Sequence, residues 1–143
     1  MKTNGASREL SALIDANTNR AKEGLRVCED IARFILKNKR LSSVLKNLRH
    51  GIDASLPLSY AKLLDGRDSE KDAGRRIKCA AEFKRHSLRE VLASNFKRSQ
   101  ESLRVLEEII KLYSPKSAGL FKELRYKSYT AEKTVMSFYD KKN

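Results

Sequence analysis

Apolar residues recur along most of the chain at the three- and four-residue spacing of amphipathic helices. The first such stretch covers about Ser7 to Asn38, and a second covers about Leu41 to Ser55. Pro57 cannot continue the second helix, and it predicts the start of a short helix that ends near Leu64. Runs of alternating β-branched residues, which would indicate strands, are missing from the sequence. The pattern therefore predicts an all-α fold.

Two helix-start signals organise the second half of the chain. Ser87 and Glu90 have the spacing of a capping box, in which each side chain satisfies a free backbone N–H group. They predict a third helix that runs to about Tyr113. The dipeptide Ser114-Pro115 matches an N-cap followed by proline at the first helical position, and predicts a fourth helix to about Tyr139.

A stretch without apolar periodicity, residues 65–76, separates the two halves. A loop of about a dozen residues in a compact domain is usually functional or disordered. Its carboxylates, Asp68 and Asp72, lie close to Arg67 in the sequence, and this combination suits a Mg²⁺ ion bound together with a phosphate group. We therefore predict catalytic roles for these three residues, with Asp68 and Asp72 as metal ligands. The alternative interpretation is a solvated loop of mixed charge, which is common at protein surfaces.

The chain contains an internal repeat. Residues 17–30 read NTNRAKEGLRVCED, and residues 95–108 read NFKRSQESLRVLEE. Seven of the 14 positions are identical, where average composition would give about one. Leu48-Arg49 is repeated in the same way by Leu124-Arg125.

This repeat predicts two similar helical hairpins. They cover about residues 7–64 and 77–140, joined by the loop of residues 65–76, within a single domain of residues 1–143. We expect the hairpins to form a four-helix bundle with pseudo-twofold symmetry.

The repeated positions are mainly polar, which core packing alone would not produce. At 100° per residue, Asn17 lies in the middle of the apolar face of the first helix, and Arg20 lies at its edge. Glu23 lies one turn away, within reach of Arg20. Gly24, which is matched by Ser102 in the second copy, is expected to leave room in the interior.

Two interpretations of these polar residues stay open. In the first, the Asn and Arg side chains of the two halves satisfy each other and fix the register of the bundle. In the second, the two copies line a polar cavity between the helices and bind phosphate groups, to which arginine is well suited. The second interpretation gives these candidate ligand-binding residues: Asn17, Arg20, Glu23, Arg49, Asn95, Arg98, Glu101 and Arg125. Arg26 and Arg104 lie off this face, where they could pair with a neighbouring helix or with the second subunit of a homodimer.

The balance of charge narrows the choice of partners. The chain has 31 Lys and Arg residues against 18 Asp and Glu residues, a net charge of +13, which favours polyanionic partners such as nucleic acid or phosphorylated metabolites. No apolar run is long enough to cross a membrane, and the N-terminus lacks an apolar signal region, so we expect a cytoplasmic protein. Cys28 and Cys79 are too isolated for a metal site, and we expect both to be small apolar residues in a reducing compartment.

Three motifs of this sequence resemble one known family. They are Ile14 to Phe34, the loop of Arg67-Asp68-Ser69 with Asp72 and Gly74, and Asn95 to Glu108 followed by Leu124 to Glu132. Together they resemble the small helical domain found at the N-terminus of some bacterial thiamine-phosphate synthases, which also occurs as a free-standing protein. The resemblance extends from about Ile14 to Glu132. The chain departs from the family pattern at Asp65-Gly66 and at Ala73, without loss of a charged motif residue.

The resemblance implies a hydroxymethylpyrimidine-phosphate kinase, which uses ATP to convert the monophosphate to the diphosphate in thiamine biosynthesis. The expected partners are therefore small phosphorylated molecules, with ATP as a substrate and Mg²⁺ as the metal. A phosphate monoester is mostly dianionic at pH 7, so the reaction needs charge neutralisation and positioning more than a strong base. Synthase activity is not expected, because 143 residues cannot form a (β/α)₈ barrel of about 250 residues.

Two other functions compete with this one. A basic helical module that binds nucleic acid would explain the net charge, but aromatic residues make up only 7% of the chain and there is no Trp for base stacking. A non-catalytic sensor of thiamine-precursor phosphates would bind the pyrimidine phosphate without turning over ATP.

Overall fold

A computed structural model of the chain describes residues 7–77 and 84–143. Within those residues the fold is all-α, as predicted, and has no strand. Its helices are α1 (Ser7–Asp30), α2 (Lys39–Ser55), α3 (Tyr60–Gly66), α4 (Leu88–Ile110) and α5 (Pro115–Lys142). A π-helix over Ile31–Ile35 follows α1, and a 3₁₀ turn over Ala73–Arg75 lies in the loop after α3. Across the described residues, none of the helices is both long and apolar enough to pass through a membrane.

The predicted capping signals begin the two helices of the second half. The Ser87 hydroxyl accepts a hydrogen bond from the Glu90 N–H at 3.1 Å, so α4 begins at the predicted place. The Glu90 carboxylate accepts the N–H of His86, one residue before the position that a capping box normally uses. The Ser114 hydroxyl caps α5 in the same way, with Pro115 in its first turn.

The short helix α3, which was predicted to begin at Pro57, begins later in the structure. Pro57 lies outside α3, and the Ser59 hydroxyl caps the helix by accepting the Lys62 N–H at 3.2 Å. The Pro57 prediction was wrong because a serine in extended backbone, close behind the proline, offers a better N-cap.

The first predicted helix is interrupted before Asn38. Five residues form a π-helical turn, in which the Leu36 N–H donates to the Ile31 carbonyl at 2.9 Å. Lys37 then adopts a positive φ of 52°, which ends the helix. The wider turn shifts the helical phase of the residues that follow. This shift leaves Ile35 exposed, although in a continuous α-helix it would lie at the same angle as Asn17, 18 residues earlier, on the apolar face.

The centre of the fold is an antiparallel contact between α1 and α4. The Ser99 hydroxyl donates to the Ala21 carbonyl at 2.8 Å, and the Cys28 thiol lies 3.7 Å from the Leu92 carbonyl. A Cβ atom at Gly24 would overlap the Ser99 hydroxyl and would lie 2.6 Å from the carbonyl of Asn95. Gly24 therefore leaves no room in the interior, contrary to the sequence-based expectation. It allows the two backbones to approach closely.

Of the two cysteines, Cys28 is the one that lies among the described residues. Cys28 is fully buried, as expected of a small apolar residue. Burial, with a smaller contribution from the charge of Glu132, raises the pKa of the Cys28 thiol to about 12, so it is not a nucleophile near neutral pH. Cys79 lies outside the described residues.

The pseudo-twofold symmetry predicted from the repeat stays a prediction. The test is a superposition of one half on the other: residues 14–35 with α2 on residues 92–113 with α5.

Candidate functional site

A cleft of about 720 Å³ lies between the N-terminal half of α1 and the loop that follows α3. Its polar side chains from α1 are those of Asp15, Asn17, Asn19 and Arg20, and those from the loop are Arg67, Asp68, Ser69, Lys71 and Asp72. The fold thus joins the first copy of the repeat to the loop motif, which are about 50 residues apart in the chain. The sequence analysis predicted the repeat residues and the loop residues as two separate candidates.

A bidentate ion pair holds the loop against α1. Arg67 Nε donates to Asp15 Oδ2 at 2.7 Å, and Arg67 Nη2 donates to Asp15 Oδ1 at 2.8 Å. The Asp15 side chain is buried, whereas that of Arg67 is 39% exposed. Hydrogen bonding to this carboxylate raises the pKa of Arg67 above its ordinary value, so the arginine is always charged. Because a buried carboxylate needs a partner, the pair fixes where the loop begins.

The sequence reasoning did not assign Asp15 to the site. The available signal was a carboxylate next to Ile14 and only two residues from Asn17, in a stretch of α1 that is buried. Its partner Arg67 lies 52 residues further along the chain, so no local pattern could pair the two.

The backbone of the loop also approaches α1 closely. A Cβ atom at Gly66 would lie 2.7 Å from the Arg8 carbonyl oxygen and 2.8 Å from the Ala12 nitrogen. Only glycine fits such a contact without moving the backbone. Gly66 and the Asp15–Arg67 pair therefore anchor the same end of the loop.

The two carboxylates predicted as metal ligands both line the cleft. Asp68 Oδ1 accepts the Lys71 N–H at 3.3 Å, and Asp72 Oδ1 accepts the Gly74 N–H at 2.8 Å. Both residues are exposed. Among the described residues, no group of three or more His, Cys, Asp or Glu side chains is arranged to hold a metal. Mg²⁺ does not need such a group, because it commonly binds one or two carboxylates together with water and substrate phosphates. Asp68 and Asp72 fit that mode and would be the residues that hold it.

The repeated asparagines do not meet. Asn17 Nδ2 donates to the Leu13 carbonyl at 2.9 Å, and Asn95 Nδ2 donates to the Val91 carbonyl at 2.8 Å, so each amide is satisfied within its own helix. Asn17 lines the cleft, and Asn95 does not. The expectation of one polar cavity lined by both copies was wrong for the described chain. Because α1 and α4 cross antiparallel near Ala21, equivalent positions on the two helices diverge from the crossing point.

The repeated Arg and Glu residues also separate. Arg20 lines the cleft and is exposed, whereas Arg98, Glu23 and Glu101 are exposed and lie outside it. In the part of the chain that the structure describes, neither arginine forms an ion pair with the other half. These contacts do not support the interpretation in which the Asn and Arg side chains set the register of the bundle.

The remaining two candidate arginines bind buried glutamates within their own halves. Arg49 Nε lies 2.9 Å from Glu29 Oε1, and Arg125 Nε lies 2.9 Å from Glu107 Oε2. These ion pairs occupy equivalent positions in the repeat and connect the two long helices of each half. Arg125 also donates to the Tyr129 hydroxyl at 3.1 Å. Neither arginine lines the cleft, so the structure gives both a role in packing.

The two arginines that lie off this face pair within their own helices. Arg26 lies 3.5 Å from both Glu29 and Asp30, and Arg104 makes the equivalent contacts with Glu107 and Glu108 at 3.3 and 3.0 Å.

A known protein family matches the part of the sequence that forms both walls of the cleft. The model of the ThiD2 family matches residues 12–134, which include every residue named above as lining the cleft. The chain belongs to the ThiD2 family. No solved structure matches it.

Several relatives of this chain are longer proteins, with which it aligns over part of their length. The chain is 40% identical over 124 residues to a thiamine-phosphate synthase of Nostoc punctiforme, an alignment that covers 87% of this chain and 34% of the relative. It is 38% identical over 127 residues to a thiamine-phosphate synthase of Synechocystis sp., covering 89% and 36%. A thiamine-phosphate synthase of Rhodopirellula baltica is 38% identical over 128 residues, covering 89% and 34%. The chain thus spans about a third of the length of these relatives.

Proposed function

We propose that this ThiD2-family chain transfers a phosphoryl group from ATP to hydroxymethylpyrimidine phosphate, as a step of thiamine biosynthesis. The observation that carries the proposal is the cleft in which Asp68 and Asp72 lie together with Arg20 and Arg67. The relationship to part of several thiamine-phosphate synthases supports the pathway. It does not extend the synthase reaction to this chain, which aligns with only a third of those proteins.

The charges in the cleft suit a complex of phosphate and metal. The cations are Arg20, Arg67 and Lys71, and the carboxylates are Asp15, Asp68 and Asp72. The sum is zero, so the cleft by itself does not strongly attract two phosphorylated substrates. Mg²⁺ on Asp68 and Asp72 would make the site positive and would neutralise the charge that the phosphates bring.

Arg67 is the side chain best placed to contact the transferred group. A guanidinium has five N–H donors, and Asp15 uses two of those on Arg67. The donors left over can bind phosphate oxygens, and the fixed ion pair means that little side-chain freedom is lost on binding. Arg20 can contact the same ligands from the opposite wall.

The reaction that we propose needs no protein nucleophile. An oxygen of the pyrimidine phosphate attacks the γ-phosphorus of ATP, the bond from that phosphorus to the β-phosphate oxygen breaks, and ADP leaves. The acceptor oxygen is already mostly ionised at neutral pH, so no general base is required. In this scheme the chain's own residues position the two phosphates and balance their charge.

The direct test is incubation of the purified chain with ATP, Mg²⁺ and hydroxymethylpyrimidine phosphate. Formation of the diphosphate is followed by anion-exchange chromatography, and ADP by a coupled assay. Equal yields of the two products support the proposal. Binding of the pyrimidine phosphate without ADP formation indicates a sensor instead. Salt-dependent retention of an oligonucleotide in a filter-binding assay, without turnover, indicates nucleic-acid binding.

Neutralising either loop carboxylate is expected to raise the Mg²⁺ concentration that the reaction needs. Asp68→Asn and Asp72→Asn each remove one charge-assisted contact, worth roughly 1.5–3 kcal/mol, so the Mg²⁺ concentration for half-maximal rate rises about tenfold or more. Both residues are exposed, so thermal unfolding changes little. The measurement is the rate as a function of Mg²⁺ concentration. Normal Mg²⁺ dependence in both variants would exclude a metal role for the loop.

Arg20 and Arg98, which occupy equivalent positions in the repeat, can be compared by the same conservative substitution. Arg20→Lys keeps the charge but loses the bidentate fork, and we expect the KM of one substrate to rise about tenfold. Arg98→Lys makes the same change at the equivalent position outside the cleft, and it decides whether the second copy also binds phosphate. An unchanged KM for both substrates in Arg20→Lys, with a lowered melting temperature, would show that Arg20 is structural.

A further inference from the structure

A second cleft, of about 500 Å³, lies at the opposite end of α1 from the candidate active cleft. It forms where α1 passes through the π-helix into α2. Eight residues line it, among them Arg26, Arg33, Lys37, Lys39 and Lys46. Five of them are cationic and one is acidic, so this surface is much more basic than the candidate active cleft.

Most of this positive charge is not compensated by the residues that the structure describes. The carboxylate, Glu29, is buried and bonded to Arg49, and Arg26 is paired with Glu29 and Asp30. The other four cations form no ion pair with any carboxylate of residues 7–77 and 84–143. They are Arg33, Lys37, Lys39 and Lys46. Four like charges around one cleft repel one another, and an anion of high charge would relieve that repulsion.

The backbone around the cleft has two unusual features. The π-helical turn presents Arg33 on its exposed side, and Lys37 adopts a φ of 52°, which is unfavourable for a residue with a side chain. Asn38 then caps α2, its carboxamide oxygen accepting the Leu41 N–H at 3.0 Å. Wide turns and left-handed residues of this kind concentrate at functional sites.

We propose that this second cleft binds the di- or triphosphate group of a small molecule. Such groups carry about three to four negative charges near neutral pH, which matches four uncompensated cations. A volume of about 500 Å³ is in the range of small-molecule sites. The α1 residues of the two clefts, 12–20 and 26–33, are centred about 20 Å apart along the helix at 1.5 Å per residue. A ligand here is therefore too far from the candidate active cleft to react in it. Its role as an effector rests on the proposed function, whereas its binding does not.

The test is a titration of ¹⁵N-labelled full-length chain with tripolyphosphate and, separately, with ATP. The amide signals of Lys39 to Ser43 report on this cleft alone, because the candidate active cleft lies at the other end of α1. We expect saturable shifts of these signals with both ligands. Equal affinities mean that the phosphates alone are recognised, and tighter binding of ATP means that its nucleoside also makes contacts.

A pair of matched double variants separates a site from general charge attraction. Arg33→Gln with Lys46→Gln removes two cations of the cleft, and we expect at least tenfold weaker binding of tripolyphosphate. Lys116→Gln with Lys122→Gln removes two exposed cations of α5, and binding should change less than twofold. Equal weakening in both double variants, no shift at Lys39 to Ser43, or binding of an oligonucleotide but not of tripolyphosphate would overturn the proposal.

Discussion

Replacement of Asp15 by asparagine is expected to lower kcat/KM of the proposed kinase reaction about 100-fold. The carboxylate accepts two hydrogen bonds from Arg67 across the cleft and one at 3.5 Å from Asn19 Nδ2 of its own helix, and the contact with Arg67 fixes the loop that carries Asp68 and Asp72. Asparagine keeps the size of the side chain and loses the charge and one of the two hydrogen bonds from Arg67. A displacement of the loop by about 1 Å is enough for an effect of this size, because the reaction depends on positioning.

The Asp15→Asn variant should still fold, since the Arg67 guanidinium is partly exposed and can be hydrated. Limited trypsin digestion provides a second measurement, independent of activity, because a released loop is cut faster after Arg67 and Lys71. The matched control is Asp65→Asn, which removes an exposed partner of Arg8 at 3.6 Å beside the same loop and should change neither activity nor digestion. If both variants behave alike, Asp15 has no special role in positioning the loop.

Helix periodicity and capping predicted most of the fold, because both depend on residues close in sequence. Ser87 and Ser114 cap α4 and α5 at the positions that the capping motifs predict. The π-helical turn after Asp30 was not predictable in the same way. Nothing in the apolar pattern distinguishes a π turn from an α turn, and the phase changed only for the few residues up to Ile35.

The candidate site could be predicted only in part, because its two walls come from distant segments. Asn17 and Arg20 were identified through the repeat, and Asp68 through the chemistry of the loop. Their common cleft depends on the contact between Asp15 and Arg67, which no local pattern encodes.

The repeat itself was ambiguous as evidence for a site. Duplication preserved residues that pack, such as Glu29 and Glu107 with their arginines, along with residues that line the cleft. Residue identity alone could not separate these groups. An arginine beside a buried glutamate on a neighbouring helix and an arginine facing solvent look the same in the sequence.

The contact between α1 and α4 gives the largest expected effect on stability. Gly24→Ala should lower the free energy of unfolding by about 2 kcal/mol and the melting temperature by about 8 °C. The new methyl group would meet the Ser99 hydroxyl and would lie 2.6 Å from the Asn95 carbonyl, and the latter is backbone that cannot rotate away. The two helices must therefore move apart. Overpacking of this kind costs about 1–3 kcal/mol, and it outweighs the gain of up to about 1 kcal/mol that alanine offers over glycine within a helix.

The same substitution at Gly119 isolates the steric part of this effect. Gly119 lies within α5, and a Cβ atom there would have no neighbour within 4 Å. Gly119→Ala should therefore show only the gain in helix propensity, with an unfolding free energy higher by about 0.5–1 kcal/mol. Thermal and urea unfolding followed by circular dichroism measure both variants under one set of conditions. Opposite signs for Gly24→Ala and Gly119→Ala are expected because only Gly24 lies where two backbones touch. Stabilisation by both would mean that a Cβ atom at Gly24 does not meet the backbone of α4 at Asn95.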